Sequence, residues 1–291
     1  MTPGEGVGER PACLAIDIGA SKVAVALVTP GGEVGDVGRL EVAAHPGDLF
    51  SALCDLARAH LDRSRVDQVG VGCAGPMTAG GETVSPLNIP AWRDFPLRDG
   101  LSRALGLPVT VEGDARALAL GEGRFGAARG VNDYLSMVVS TGVGGGLVLD
   151  GRLVGGRTGN AGHLGHLVVV EDGAPCRCGG RGCLEAEASG GAIERRTGRP
   201  AREADDEERG RAGDLVGRAV GALAATLDFV RCFVAGSVAL GYGAAFFDRA
   251  TASAREVARL DYARDVALEP SPLGAAGPLL GAAAVAWRGR A

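Results

Sequence analysis

Aromatic side chains are scarce in this chain, 4% of 291 residues, so its core must be filled by Val, Leu, Ala and Ile. Basic clusters are missing too. Thirty Lys and Arg stand against 35 Asp and Glu, for a net charge of −5, and they form no stripe. That argues against nucleic acid or an anionic membrane as a partner. Long hydrophobic runs are absent. The longest uncharged one, "LGAAGPLLGAAAVAW" at 273–287, is short for a membrane span and contains Gly-Pro. No export signal is visible, since the first twelve residues carry Glu5, Glu9 and Arg10 and no apolar core. Seven cysteines, an odd number, then argue against a disulfide framework. The expected compartment is the cytoplasm.

Glycine, by contrast, is abundant. The 49 glycines follow no collagen period and sit in short clusters between apolar runs, so they read as tight turns and close backbone approaches. "CLAIDIGASKVAVALVTPGGEVG" (13–35) is two apolar runs joined by a small polar turn, the pattern of a β-hairpin. Residues 48–65 place Leu49, Leu53, Leu56, Ala57 and Leu61 on one helical face. A buried strand is predicted at 66–77, a helix at 94–106, a strand at 107–114 and a helix at 115–126. The opening pattern then recurs in "YLSMVVSTGVGGGLVLDGRLVGG" (134–156), the one internal repeat. Two such hairpins predict two domains of related fold, with a phosphate between the two turns, where bare backbone N–H groups are exposed. The plainer alternative is two hairpins using glycine for turn geometry. Residues 199–214 read as a solvated helix face or loop, 214–230 as an apolar helix, and 232–238 as a strand ending in a Gly/Ser turn, a third candidate nucleotide contact. The expected organisation is a flexible tail at 1–11, an α/β domain at 12–118 onto which a helix at 278–291 packs back, and a second α/β domain at 119–277.

"GNAGHLGHLVVVEDGAPCRCGGRGCLE" (159–185) gathers two of the four histidines and three of the seven cysteines. His166, Cys176, Cys178 and Cys183 supply one imidazole and three thiolates, a closed tetrahedral set that suits zinc better than magnesium or calcium. Four protein ligands leave no open position, so the zinc is read as structural, fixing the loop 163–190, with Gly179, Gly180 and Gly182 letting the chain wrap the ion. The plainer alternative is a set of reduced surface cysteines. The same loop holds His163 and Glu185 near His166, a cluster of hydrogen-bonding groups that suits a polyol.

"DIGASK", "STGVGGG", "AGHLGH", "CRCGGRGCLEAEASG" and "VAGSV", in this order across about 12–287, resemble the ROK family of sugar kinases and sugar-responsive repressors. The resemblance implies an actin-like (ribonuclease H-like) two-domain α/β fold with ATP and a sugar in the interdomain cleft. It implies transfer of the γ-phosphoryl group to a sugar hydroxyl, usually the 6-hydroxyl, with Mg2+ and structural Zn2+, in a homodimer or higher homo-oligomer. Carried over by position, Asp114 in "VEGDARA" would be the general base. Its plainer role is a helix N-cap, and both can hold. Gly75, Asn88, His163, His166 and Glu185 would bind the sugar. Gly19, Ser21 and Lys22 would form the first phosphate turn, Thr141, Gly142 and Gly144 the second, and Gly236 and Ser237 would lie against the adenosine. Asp17 would act on Mg2+ through a water.

Three departures matter. Ala20-Ser21 stands where the family has Gly-Thr, Gly113 where it has Asn before the catalytic Asp, and His163 where it has Glu. The last resembles the N-acetylmannosamine kinases, as does "AGSVALGYG", whereas "SPLNIPAW" resembles the glucokinase branch. A neutral histidine can donate to an N-acyl carbonyl where a glutamate accepts from a 2-hydroxyl. The expected acceptor is an N-acylmannosamine, with glucose as the alternative. A catalytically weak sugar-binding or regulatory member is the alternative of another class, raised by Gly113 and Ala20. A DNA-binding repressor would carry a winged helix ahead of the kinase-like fold. The first hairpin at about residue 13 makes that reading unexpected.

Overall fold

The apolar run ACLAIDI forms β1 (Ala12–Ile18), and KVAVALV returns antiparallel as β2 (Lys22–Val28), with Ile18 opposite Val23. The chain is described here from a computed structural model covering residues 11–61 and 66–288. Apart from Pro11, the expected tail lies outside the described residues, as do the last three residues of the expected C-terminal helix.

An edge strand β3 (Gly38–Glu41) follows, then α1 (Leu49–Leu61), whose Leu49, Leu53 and Ala57 are buried as the periodicity predicts. β4 (Val66–Cys73) lies parallel to β1, and its last six residues are all buried, the pattern of a strand covered on both faces. After α2 (Leu97–Leu105), β5 (Val109–Gly113) pairs parallel with β4. The strand order is β3-β2-β1-β4-β5. Among the described residues, one compact unit falls within 11–114 and 278–288, and the other takes 115–277.

In the second unit, α3 (Asp114–Phe125, all but its first residue) leads to β6 (Tyr134–Val139), β7 (Val143–Leu149) and the short β8 (Arg152–Leu153). α4 (Leu184–Ala188), α5 (Gly190–Thr197) and α6 (Asp206–Leu227) come next. β9 (Arg231–Ala235), α7 (Ser237–Tyr242), α8 (Ala244–Val257) and β10 (Ala267–Pro270) complete it. The order β10-β9-β6-β7-β8, with β6 parallel to β9 and antiparallel to β7, repeats the first sheet strand for strand. The repeat seen in the two hairpins therefore extends to two whole sheets.

The charged stretch at 199–214 is in large part the start of α6, capped by the Asp205 carboxylate, which accepts from the Glu208 N–H at 3.0 Å. Farther along α6, Gly213, Gly217 and Gly221 recur every fourth residue against α8. A Cβ on each would fall 2.6, 2.2 and 2.4 Å from the carbonyls of Phe246, Ala250 and Ala254. The two helices therefore pack backbone to backbone along that stripe, a close approach that only glycine allows. In the first unit α9 (Gly277–Ala286) crosses β4 in the same manner, at Gly70. Among the described residues no helix is long and apolar enough to cross a membrane.

Candidate functional site

Parallel pairing aligns the carboxyl ends of β1, β4 and β5, with Ile18 beside Cys73 and Cys73 beside Gly113. Ligands of open α/β sheets gather at such ends. Asp17 is the residue before Ile18, and Asp114 the residue after Gly113. Burial, and then the neighbouring Asp114 carboxylate, push the Asp17 carboxyl up to about 7. Burial followed by both aspartates also raises the Cys73 thiol. Asp114 itself is exposed and is the first residue of α3. Two acidic groups set together this way suit a hard cation with oxygen ligands, so the residues fit magnesium.

The turn that follows β1 is closed by the Gly19 N–H donating to the Lys22 carbonyl at 2.9 Å. Ala20, Ser21 and Lys22 are exposed, and Lys22 lies 4.0 Å from Glu41 on β3. Asn88 is exposed and Gly75 half-buried in the loops that follow β4. The Arg93 guanidinium donates to the Pro86 carbonyl at 2.8 Å, fixing the backbone just before Leu87-Asn88.

In the second unit the corresponding turn, Ser140–Gly142, is closed by the Ser140 N–H donating to the Gly142 carbonyl at 2.9 Å. Among the described residues the N–H groups of Thr141 and Gly142 make no hydrogen bond, as a phosphate-binding turn requires. Gly144 is the second residue of β7, and a Cβ there would come 3.0 Å from that of Ala115. Gly236 has φ 102°, and a Cβ on it would fall 2.3 Å from the Val139 carbonyl, so only glycine fits. The next residue, Ser237, places its hydroxyl 3.0 Å from that of Ser140.

The sulfur atoms of Cys176, Cys178 and Cys183 and a ring nitrogen of His166 lie within 4.8 Å of one another. Cys178 Sγ is 3.7 Å from Cys183 Sγ, and Cys176 Sγ is 3.6 Å from His166 Nδ1. A tetrahedral zinc with thiolates at about 2.3 Å and imidazole at about 2.0 Å sets its donors about 3.5–3.8 Å apart, so the residues fit that ion. Burial and the neighbouring thiols push Cys183 up to about 12, an environment in which a thiolate needs a cation. His163 stands outside the four-atom set. It is exposed, and its ring is nearly parallel to that of His166, 6.2 Å away. Glu185 lies on α4, two residues past Cys183, and its Oε2 accepts from the Val143 N–H at 3.0 Å.

Three participants carried no signal in the sequence. Buried Arg116 donates to the carbonyls of Val154 and Ala161, anchoring the loop just ahead of His163. Buried Glu187 accepts from the Ala174 N–H at 2.6 Å and from Arg211 at 2.7 Å, tying the cysteine loop to α6. The Gly190 N–H donates to the Ser140 carbonyl at 2.7 Å. Their partners lie up to 50 residues away in sequence.

The pattern described as the ROK family matches residues 13–288. The chain belongs to the ROK family. Among ROK proteins, the glucokinase of Halalkalibacterium halodurans is 37% identical over 189 residues, 62% of this chain and 57% of its own length. The N-acetylmannosamine kinase of Yersinia pestis is 40% identical over 185 residues, 62% of each chain. This chain therefore spans about three fifths of the length of the curated relatives it matches. A ROK glucokinase from Streptomyces griseus, solved with glucose and AMPPNP, superposes with a TM-score of 0.83 at 29% identity, covering 96% of this chain and 100% of that one. The two-sheet α/β architecture is the actin-like fold of these ROK proteins.

Proposed function

We propose that the chain is an ATP-dependent sugar kinase. It transfers the γ-phosphoryl group of ATP to the 6-hydroxyl of a hexose or N-acylhexosamine, with an N-acylmannosamine as the favoured acceptor. The observation that carries this reading is the placement of Asp114. It is an exposed carboxylate at the start of α3, one residue past the end of β5, and its charge acts on Asp17 near the end of β1.

Phosphoryl transfer runs through a loose transition state, so the protein contributes mainly positioning and charge neutralisation. Asp114 accepts the proton of the attacking hydroxyl. The turn of Gly19, Ser21 and Lys22 and the turn of Thr141, Gly142 and Gly144 hold the phosphates, the second through the N–H groups of Thr141 and Gly142. Gly236 and Ser237 lie against the adenosine. Asp17 would hold Mg2+ through a water, and the ion, when bound, neutralises phosphate charge. Asn88, Gly75, His163, His166 and Glu185 contact the sugar. Zinc, held by His166, Cys176, Cys178 and Cys183, would serve as a fixed point for the loop and, with all four positions filled by protein, would take no part in the chemistry.

His163 supports the N-acyl acceptor, because an exposed imidazole N–H can donate to an amide carbonyl. Glucose is the second reading, supported by the "SPLNIPAW" segment and the glucokinase relatives. ADP release measured across a panel of hexoses and hexosamines tests both. The highest kcat/KM is expected with an N-acylmannosamine. A preference for glucose would move the assignment to the second reading. Sugar binding without ADP release from any acceptor would make the chain a regulatory member.

A further inference from the structure

The turn Ser140–Gly142 is held on both flanks by one short stretch of chain. On one side the Val143 N–H donates to Glu185 Oε2 at 3.0 Å, and on the other the Gly190 N–H donates to the Ser140 carbonyl at 2.7 Å. The fit leaves no slack. A Cβ on Gly142 would fall 2.8 Å from Glu185 Oε2. One on Gly165, in the short turn Leu164–His166, would fall 2.3 Å from the Val143 carbonyl and 3.2 Å from the Glu185 Cβ. Three segments therefore converge on Val143: the turn, the residues between His163 and His166, and α4.

Glu185 comes to this place from the cysteine loop. Cys183 is the N-cap residue of α4, the Leu184 N–H donates to the Leu167 carbonyl at 2.8 Å, and Val168 pairs with Cys183. A carboxylate beside a phosphate-binding turn repels the phosphate it should help to hold. Its bond to the Val143 N–H gives it a compensating task, because a turn whose flank is fixed presents its free N–H groups without reorganisation.

We propose that Glu185 is a positioning residue for the nucleotide. Through Val143 it fixes the shape of the turn Ser140–Gly142, and so sets nucleotide affinity before any sugar is bound. This is separate from its contact with a sugar, and it rests on the kinase reading for the identity of the ligand. Because Glu185 is two residues from Cys183, the loop that would hold zinc carries the nucleotide turn as well as the sugar contacts.

The test is ADP affinity in the absence of sugar, by calorimetry on the full zinc-loaded chain, for wild type, Glu185→Gln and Glu185→Ala. A sugar ligand alone would not move this measurement. Glutamine keeps an oxygen acceptor for the Val143 N–H, and alanine removes it. Glu185→Ala is expected to weaken ADP binding about 10-fold, while Glu185→Gln stays within about 3-fold of wild type or binds tighter. Exchange of the Val143 amide hydrogen should accelerate in Glu185→Ala and not in Glu185→Gln, with α6 amides unchanged in both. Equal ADP affinity in wild type and Glu185→Ala, equal losses in the two variants, or a Val143 amide that stays protected in Glu185→Ala would each overturn the proposal. A wild type that binds no ADP would instead sink the kinase reading beneath it.

Discussion

In the first unit the turn after β1 is closed by its own Gly19–Lys22 bond, and the Val42 N–H donates to the Ser21 carbonyl. Its neighbours are the exposed Glu41 at the end of β3 and the half-buried Val42 just after it. In the second unit the equivalent turn after β6 is gripped by Glu185 and Gly190, and Ser237 reaches it from the end of β9. The strand order is the same in both sheets. One topology thus carries two ways of shaping the turn that follows its first strand. In one the hairpin is sufficient, and in the other a cysteine loop and a short helix enforce it. The difference follows from what each unit inserts between strands. The first spends its insertion at 74–96 on a loop that presents Asn88, and the second spends 154–197 on the cysteine loop, α4 and α5.

Metal removal should break this comparison most sharply, since structural zinc contributes about 10–16 kcal/mol to the folding of small zinc-binding peptides. Chelation, or Cys178→Ser, is expected to open the segment 163–190 to proteolysis and to accelerate amide exchange at Ser140 and Val143. Exchange at 19–22 should not change. Metal analysis should find about one zinc per chain beforehand. A protein without zinc whose second turn stays as protected as before would refute the enforced-turn account.

Asp114→Asn comes next. It removes the proton acceptor and leaves both turns intact, so turnover should fall about 10²–10⁴-fold while ADP affinity stays near wild type. Near-wild-type turnover would end the assignment of Asp114 as base.

Much of this contrast could be read in the sequence, for reasons that differ by region. The hairpins, α1 and the gathering of His166, Cys176, Cys178 and Cys183 were legible because their information is local: alternating apolar runs, a helical stripe, Cys and His at short spacings. Gly142 and Gly236 were legible as turn glycines, although not the Val139 carbonyl that makes glycine obligatory at 236. The stripe Gly213, Gly217 and Gly221 was not, because a glycine repeat reads as weak helix until its partner helix is known. Nor were the contacts of Arg116, Glu187 and Glu185, since each is a bond between segments that only the tertiary fold brings together. Residues 199–214 read equally as a solvated helix face or a loop, and the Asp205 cap shows 206–214 to be the start of the 22-residue α6.

His163→Glu sharpens the comparison on the sugar side of the cysteine loop. A changed polar contact in such a site is worth about 1–3 kcal/mol, or roughly 5- to 150-fold in selectivity. The ratio of kcat/KM for N-acylmannosamine over glucose is expected to fall by that factor, with zinc content unchanged. An unchanged ratio would remove His163 from the specificity determinants, and lost zinc would place it in the metal site.

The smallest effect expected concerns the frame behind the enforced turn. Asp214 on α6 accepts from the Ser253 hydroxyl at 2.5 Å and pairs with Arg218 and Arg249, each at 3.0 Å, joining α6 to α8. Burial pushes its carboxyl up, but the Ser253 bond and the two guanidinium groups outweigh this and hold it below the usual aspartate range. A depressed folded value means a stabilisation fully present above the unfolded value of about 3.9 and lost as pH falls through the folded one. Partly exposed ion pairs contribute up to about 1 kcal/mol. Asp214→Asn should therefore be less stable than wild type by that amount near neutrality, measured by urea unfolding. The gap should close as pH falls below about 3.9, because wild type then also carries a neutral side chain there. Zinc released in acid leaves both proteins alike, so the difference between them isolates Asp214. A gap that stays constant across this range would show that Asp214 acts through its shape and its Ser253 bond, without its charge.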